Sequence, residues 1–344
     1  MTKSQPDFML NRPGALIAAL PAVLGFVPEK SLVVVTVDRG EMGAVMRVDL
    51  SPRLVDTVDR IAEVAAAARP NAAIAVIVDA DGALCPMCAE DYRELARVLS
   101  DVLALQAITL LAVHVVDRIA AGGRWHCADM CGDRGAVDDP SSSPLAMAAV
   151  LDGRRLYARR EELQQVIEGK DTARVDRIAR RIRRRLKARG DQDDDSTRRD
   201  IEYAIDAVGQ VCDGTELSDA AAAEIACGLT NILVRDTLYA LAVSDKAGQA
   251  ETLWAMLSRV LPKPWRVEAL VLLAFSAYAR GDGPLAGVAL EAALRCSGEH
   301  RMASMLDTAL QSGLRPEQIR DLAVTGYRLA DGFGVSLPPR RMFG

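Results

Sequence analysis

Three long apolar runs in the first third of the chain constrain its fold more than any other feature. Ser31–Asp38 (SLVVVTVD), Ala72–Asp79 (AAIAVIVD) and Ala107–Asp117 (AITLLAVHVVD) are continuous and rich in β-branched residues. That is the pattern of strands buried on both faces. Between them, Arg53–Ala68 and Glu90–Leu105 read as helices, with Leu54, Val58, Ile61 and Ala65 at helical spacing in the first. Strand, helix, strand, helix, strand predicts parallel pairing with right-handed crossovers and helices covering the sheet. Ala44–Leu50 alternates as an antiparallel partner would. The Gly122-Gly123 pair predicts a turn that sends the last strand back through Arg124 and Trp125. Ahead of the first strand a short helix is expected, with Pro13 in its first turn, Leu16, Ile17 and Leu20 on one face, Gly25 at its end and Pro21 breaking or kinking it.

Past Ser141-Ser142-Ser143-Pro144 the strand pattern stops. Leu145–Leu151 predicts a short helix, and helical periodicity or loop punctuation fills the rest. Ala269–Arg280 and Pro284–Arg295 predict a helical hairpin around Gly281-Asp282-Gly283, with Met302–Gln311 and Glu317–Ala330 following at similar lengths. Leu272, Tyr278, Ala286, Leu290 and Leu294 alternate with small residues much as in tetratricopeptide-like hairpins. The expected fold class is therefore an α/β N-terminal domain (residues 1–150, a mostly parallel sheet with covering helices) followed by an all-α, helical-repeat-like domain over 151–335. Residues 336–344 read as a flexible tail.

Composition limits the function classes. Lys and Arg number 42 against 47 Asp and Glu, a net charge of −5, so any contact with nucleic acid needs a local basic patch. The longest apolar stretches fall short of the roughly 18 residues of a membrane span. The first ten residues are too polar for a secretory leader. Seven cysteines, an odd number, argue against a disulfide framework. The expectation is a reduced, soluble, cytoplasmic chain without a membrane partner.

Three stretches carry a family likeness. They are Arg12–Pro21 running into Leu24–Val33; Arg124-Trp125 with Cys127, followed by Ser143-Pro144; and Gly281-Asp282-Gly283 with the alanine- and leucine-rich helix after it. Together they resemble the actinobacterial family called domain of unknown function 4192, over nearly the whole chain. The resemblance implies an actinobacterial or actinophage origin and brings no activity with it.

The cysteines come in two short-spaced pairs. Cys85-Pro-Met-Cys88 follows the Ala72–Asp79 strand, and Cys127-Ala-Asp-Met-Cys131 follows the strand through Trp125. Two thiolates a few residues apart reach one ion, and a second loop completes a tetrahedral shell. Cys85, Cys88, Cys127 and Cys131 therefore predict a structural Zn2+ that ties two loops together. His126 is expected to point away, because adjacent side chains of an extended chain face opposite sides. Two alternatives stand beside zinc. Cys85-x-x-Cys88 between strand and helix is where redox-active pairs sit, and cysteines in an apolar-rich chain also simply pack. Cys212, Cys227 and Cys296 fall inside helical patterns and read as packing residues.

Two further candidates are polar. Arg174–Arg189 puts Val175, Ile178, Ile182 and Leu186 on one helical face, and Arg177, Arg180, Arg181 and Arg184 on the other as a candidate anion-binding surface. No aromatics interleave to stack on bases, and the acidic segment 191–195 is placed to fold back on the arginines. Asp79, Asp81 and Asp117 end two apolar strands, where open α/β sheets bind ligands, although Asp there also caps turns. The chain contains no dinucleotide fingerprint, phosphate loop or nucleophile elbow. His114, mid-strand, reads as a satisfied core histidine. The reading this favours is a non-enzymatic interaction or regulatory protein, a zinc-stapled platform with a helical domain that docks a protein partner. Its alternatives are an enzyme acting on a nucleotide or phosphorylated small molecule at the strand ends, and a nucleic-acid-associated protein using the arginine helix.

Overall fold

A computed structural model describes residues 12–51, 54–67, 69–129, 131–151, 156–169, 171–190, 193–211 and 216–341. Cys212 lies outside them. The chain divides into two compact units, Met1–Arg160 and Glu161–Gly344.

The first unit opens with helix α1 (Pro13–Leu24), followed by β1 (Ser31–Asp38), β2 (Glu41–Asp49), α2 (Leu54–Ala66), β3 (Ala72–Val78), α3 (Pro86–Leu105), β4 (Thr109–Val116), β5 (Arg124–Cys127), β6 (Arg134–Ala136) and α4 (Pro144–Leu151). The strands make one mixed sheet in the order β2-β1-β3-β4-β5-β6. Only β3 and β4 pair in parallel; β1 is antiparallel to both β2 and β3. The expected mostly parallel sheet is corrected here, and the cause is geometric. A crossover helix returns the chain parallel to the strand just before it. That strand is β2, which the hairpin has already reversed, so β2 and β3 run the same way with β1 between them.

Alternation along the strands builds a core on each face. Leu32, Val34, Ala73, Ala75, Ile77 and Val115 join Leu54, Val58 and Ile61 of α2 and Leu99 and Leu103 of α3. On the other face Val37, Ala72 and Ile74 pack with Leu16 of α1, with Ala112 at the margin. β1 and β3 are buried along almost their whole length, which is why their sequences show no polar alternation. α1 runs through Pro21 to a left-handed Gly25 (φ 74°), whose N–H donates to the Pro21 carbonyl at 2.8 Å. The helix therefore continues through the proline, which gives up its own N–H bond while its carbonyl still accepts from Gly25.

The second unit is helical: α5 (Arg160–Gln165), α6 (Thr172–Ala188), α7 (Asp194–Gly209), α8 (Asp219–Gly228), α9 (Ile232–Leu238), a 3-10 turn at Tyr239–Val243, then α10 (Ala247–Val260), α11 (Arg266–Arg280), α12 (Gly283–Cys296), α13 (Arg301–Gln311) and α14 (Pro316–Gly332). α11 is buried nearly all round and centres the unit. The α11–α12 hairpin turns where expected: Gly281 is left-handed (φ 88°), and Asp282 caps α12 by accepting from Leu285 N–H at 3.1 Å.

Over its described part, 336–341, the segment read as a tail is bonded to the helical unit. Arg340 bridges Ser244 as an antiparallel pair, Arg341 N–H donates to Val243 O at 2.8 Å, and Tyr327 Oη donates to Pro338 O at 2.9 Å. Among the described residues no single helix is long and apolar enough to cross a membrane.

Candidate functional site

The two cysteine pairs do not meet. Among the described residues, Cys127, Cys131 and Asp133 form a group whose ligand atoms all lie within 4.8 Å of one another, and neither Cys85 nor Cys88 belongs to such a group. The four-sulfur Zn2+ shell expected from the spacing is therefore not assembled. Strand direction and alternation account for this. β5 runs antiparallel to β4, so the loop after it heads back along β4, away from the ends of β3 and β4. Cys127 lies directly opposite His114, and cross-strand partners share a face. Val113 and Val115 belong to the α2–α3 face, so His114 and Cys127 sit on the α1 face. Cys88 packs against the core on the α2–α3 face. The sheet stands between the two pairs.

The first pair sits where a strand hands over to a helix. After β3 the chain turns at Asp79, whose carbonyl accepts Ala83 N–H at 3.0 Å, and Cys85 becomes the N-cap of α3 with Pro86 at its first position. The Cys88 and Met87 backbone N–H groups at the start of α3, with the Cys88 thiol, hold the Cys85 pKa below the ordinary cysteine value. The neighbouring Cys85 thiol pushes Cys88 up, with burial adding to it. Both are half-buried. This polarisation of one thiol against the other is the helix N-terminus effect on a Cys-x-x-Cys pair. Leu84 and Met87 beside it are 77% and 83% exposed.

Beneath the pair, Tyr92 Oη donates to Asp79 Oδ2 at 2.8 Å, and Asp81 N–H donates to Asp79 Oδ1 at 3.1 Å. Asp81 pairs with Lys30 at 2.9 Å. Asp117 accepts Arg118 N–H at 2.6 Å and Arg124 N–H at 2.8 Å, and also pairs with the Arg118 guanidinium. Asp79 and Asp117 thus accept from their own turns, while the Asp81 carboxylate pairs with Lys30 ahead of β1.

The second pair lies at the end of β5. Cys127 is buried, while Cys131 and Asp133 are exposed. Cys127 Sγ is 3.7 Å from His114 Nδ1, and the His114 ring meets Trp125 edge-on at 5.1 Å. Cys131 N–H donates to Asp129 Oδ1 at 3.0 Å and Cys127 N–H to Asp133 O at 3.0 Å, closing the loop. Burial, then Cys131, Asp129 and Asp133, push the Cys127 thiol up to about 12. Burial also holds His114 below the usual histidine value, with Asp129 and Asp133 pulling the other way. The sequence reads His114 as a core histidine, and it is indeed buried, but its place beside Cys127 has no local signature. The alternation that excluded His126 selects His114 once the β4–β5 register is known.

The arginine helix α6 is amphipathic as expected, with Ile178 and Ile182 fully buried. Among the described residues its neutralising partners lie in α7 and α8 and not at 193–195; residues 191 and 192 lie outside the described residues. Arg174 and Arg177 share Asp219 at 2.9 and 3.1 Å, Arg185 pairs with Glu224, and Arg189 holds Asp200 through two 2.7 Å bonds and Glu224 at 3.0 Å. Arg180, Arg181 and Arg184 are exposed and have no ion-pair partner among the described residues. Arg184→Ala is expected to move the urea midpoint by less than about 0.5 kcal/mol equivalent. Arg189→Met, which strands two half-buried carboxylates, is expected to cost about 2 kcal/mol after allowing for residual exposure. Equal effects would show that the α6–α8 pairs are surface decoration.

The model of the family described as domain of unknown function (DUF4192) matches residues 13–317. No curated protein and no solved structure matches the chain.

Proposed function

The chain belongs to the DUF4192 family, and from the geometry of its first cysteine pair we propose that it is a thiol–disulfide exchange protein acting through Cys85 and Cys88. The observation that carries this reading is the placing of the pair at the start of α3, with half-buried Cys85 as the helix N-cap and Cys88 one turn in, which lowers the Cys85 pKa and raises that of Cys88. Exchange needs a thiolate to attack and a second thiol to resolve.

The Cys85 thiolate attacks one sulfur of a substrate disulfide, forms a mixed disulfide and expels the other sulfur as a thiolate, which takes up a proton. Cys88 then loses its proton and attacks the Cys85 sulfur. This closes the Cys85–Cys88 disulfide and releases the second substrate thiol. The substrate gains the two electrons that the dithiol loses. A low-molecular-weight thiol reductant regenerates the pair. The exposed side chains of Leu84 and Met87 suit an apolar peptide segment flanking the target disulfide. Asp79 and Tyr92 fix the floor of the turn that presents the pair.

The test is reduction of the insulin disulfides by the full chain with a thiol reductant present, read as turbidity. The wild-type rate is expected to exceed that of Cys85→Ser at least about tenfold. Cys88→Ser is expected to accumulate a mixed disulfide visible by mass spectrometry. A wild-type rate no faster than the Cys85→Ser rate ends the proposal. Cys85 should also alkylate with an apparent pKa below that of an unperturbed cysteine, about 8.5. Its reactivity is then retained as the pH falls toward neutrality, where an ordinary thiol loses it.

A further inference from the structure

We propose that Cys127, Cys131, Asp133 and His114 hold one divalent transition-metal ion of the zinc class, in a site on the α1 face that is independent of the Cys85–Cys88 pair. Three donors are already gathered, with their ligand atoms within 4.8 Å of one another. The buried His114 imidazole stands next to Cys127 but outside that group, and an inward shift of the exposed Cys131–Asp133 side would complete the shell with it. Zn–S near 2.3 Å and Zn–N near 2.05 Å at the tetrahedral angle place sulfur and nitrogen about 3.6 Å apart. His114 Nδ1 lies 3.7 Å from Cys127 Sγ, a weak hydrogen bond whose length is close to that of two ligands on one ion.

The donor chemistry narrows the ion. Two thiolates with an imidazole are soft and borderline ligands, which favour zinc over magnesium or calcium. Two thiolates and a carboxylate against a 2+ ion leave one negative charge, which the exposed side of the site shares with solvent. Burial is graded in a way that suits capture: His114 and Cys127 are 4% and 9% exposed, whereas Cys131 and Asp133 are open. The hydrogen bonds that close the Cys127–Asp133 loop arrange it before any ion arrives. Binding replaces one proton on each thiol, so two protons leave as one ion enters. The ion would join β4 to the end of β5 and the residue before β6, two strands of four and three residues at the outer side of the sheet.

Elemental analysis of the full chain, purified anaerobically without chelator and reconstituted with zinc, is expected to give about one equivalent per chain. Cobalt substitution is expected to give the strong visible bands of a tetrahedral site with sulfur-to-cobalt charge transfer. Cys85→Ser/Cys88→Ser should keep the full equivalent. His114→Gln should weaken retention and shift the cobalt bands. Less than about half an equivalent in the reconstituted wild type overturns the site, and needs no variant to fold. Loss of the metal in Cys85→Ser/Cys88→Ser overturns the ligand set. Neither result bears on disulfide reduction, so the two proposals fail separately.

Discussion

Replacing Arg280 by methionine is expected to lower the unfolding free energy by about 3–5 kcal/mol at pH 8, the usual cost of stranding a buried charge. The Arg280 guanidinium contacts Glu251 at 2.8 and 3.1 Å and Asp282 at 3.1 Å, and these side chains are between 8% and 20% exposed. Asp282 is also the cap of α12, so the loss reaches the α11–α12 hairpin at the centre of the second unit. The pH dependence identifies the cause. Burial raises the Glu251 pKa, and Arg280 opposes that rise. Without the arginine the folded value climbs further above the unfolded one. In the window between the two values the folded state binds more protons, so stability falls as pH rises and recovers as pH falls. The deficit of Arg280→Met is therefore expected to shrink between pH 8 and pH 6 in urea unfolding followed by tryptophan fluorescence. A pH-independent deficit would mean that lost packing, rather than the stranded carboxylate, dominates.

The second large effect is expected at Gly82. A Cβ there would run into Tyr92 Oη and lie 2.8 Å from Asp79 Oδ2. Tyr92 is buried and packed in the α2–α3 core, so its ring has little room to swing away. Gly82→Ala is expected to cost about 3 kcal/mol, the upper end for overpacking, and to break the Tyr92–Asp79 hydrogen bond. Tyr92→Phe separates the two contributions: it removes the bond without the clash and should cost about 1–2 kcal/mol. If Gly82→Ala cost no more than Tyr92→Phe, the clash would be relieved by a small shift of the turn. In both variants the first turn of α3 loses its support, and Cys85 alkylation is expected to lose part of its low-pH reactivity.

Much of the fold was legible because burial leaves a local trace. Ser31–Asp38 is β1 to the residue, and the runs read at Ala72 and Ala107 contain β3 and β4. The Gly281-Asp282-Gly283 hairpin was legible for a different reason: a left-handed glycine followed by a capping aspartate is a chemical instruction. What escaped depends on pairs of distant residues. The direction of β1 against β3 follows from a hairpin reversing the chain before a crossover, and no single segment encodes it. β6 is three exposed residues, Arg134–Ala136, which carry no pattern. The cysteine set was misjoined although its correction lay within reach. The Gly122-Gly123 turn already implied that β5 runs backwards, and a backward strand takes Cys127 away from the β3 end. The face on which Cys127 lies needed the register with His114, which only the folded sheet supplies.

The position of β1 has a consequence for synthesis. It is an interior strand buried along all but its last residue, yet both strands that flank it come later in the chain. β2 closes one edge as soon as Asp49 is made, but the other edge waits until β3 is complete at Val78. During that interval a leaving ribosome displays Leu32, Val33, Val34 and Val35 along an open backbone edge, the type of segment that recruits other chains. Fragments that stop short of Val78 are therefore expected to aggregate rather than fold, and the growing chain is most exposed to chaperone capture over that stretch.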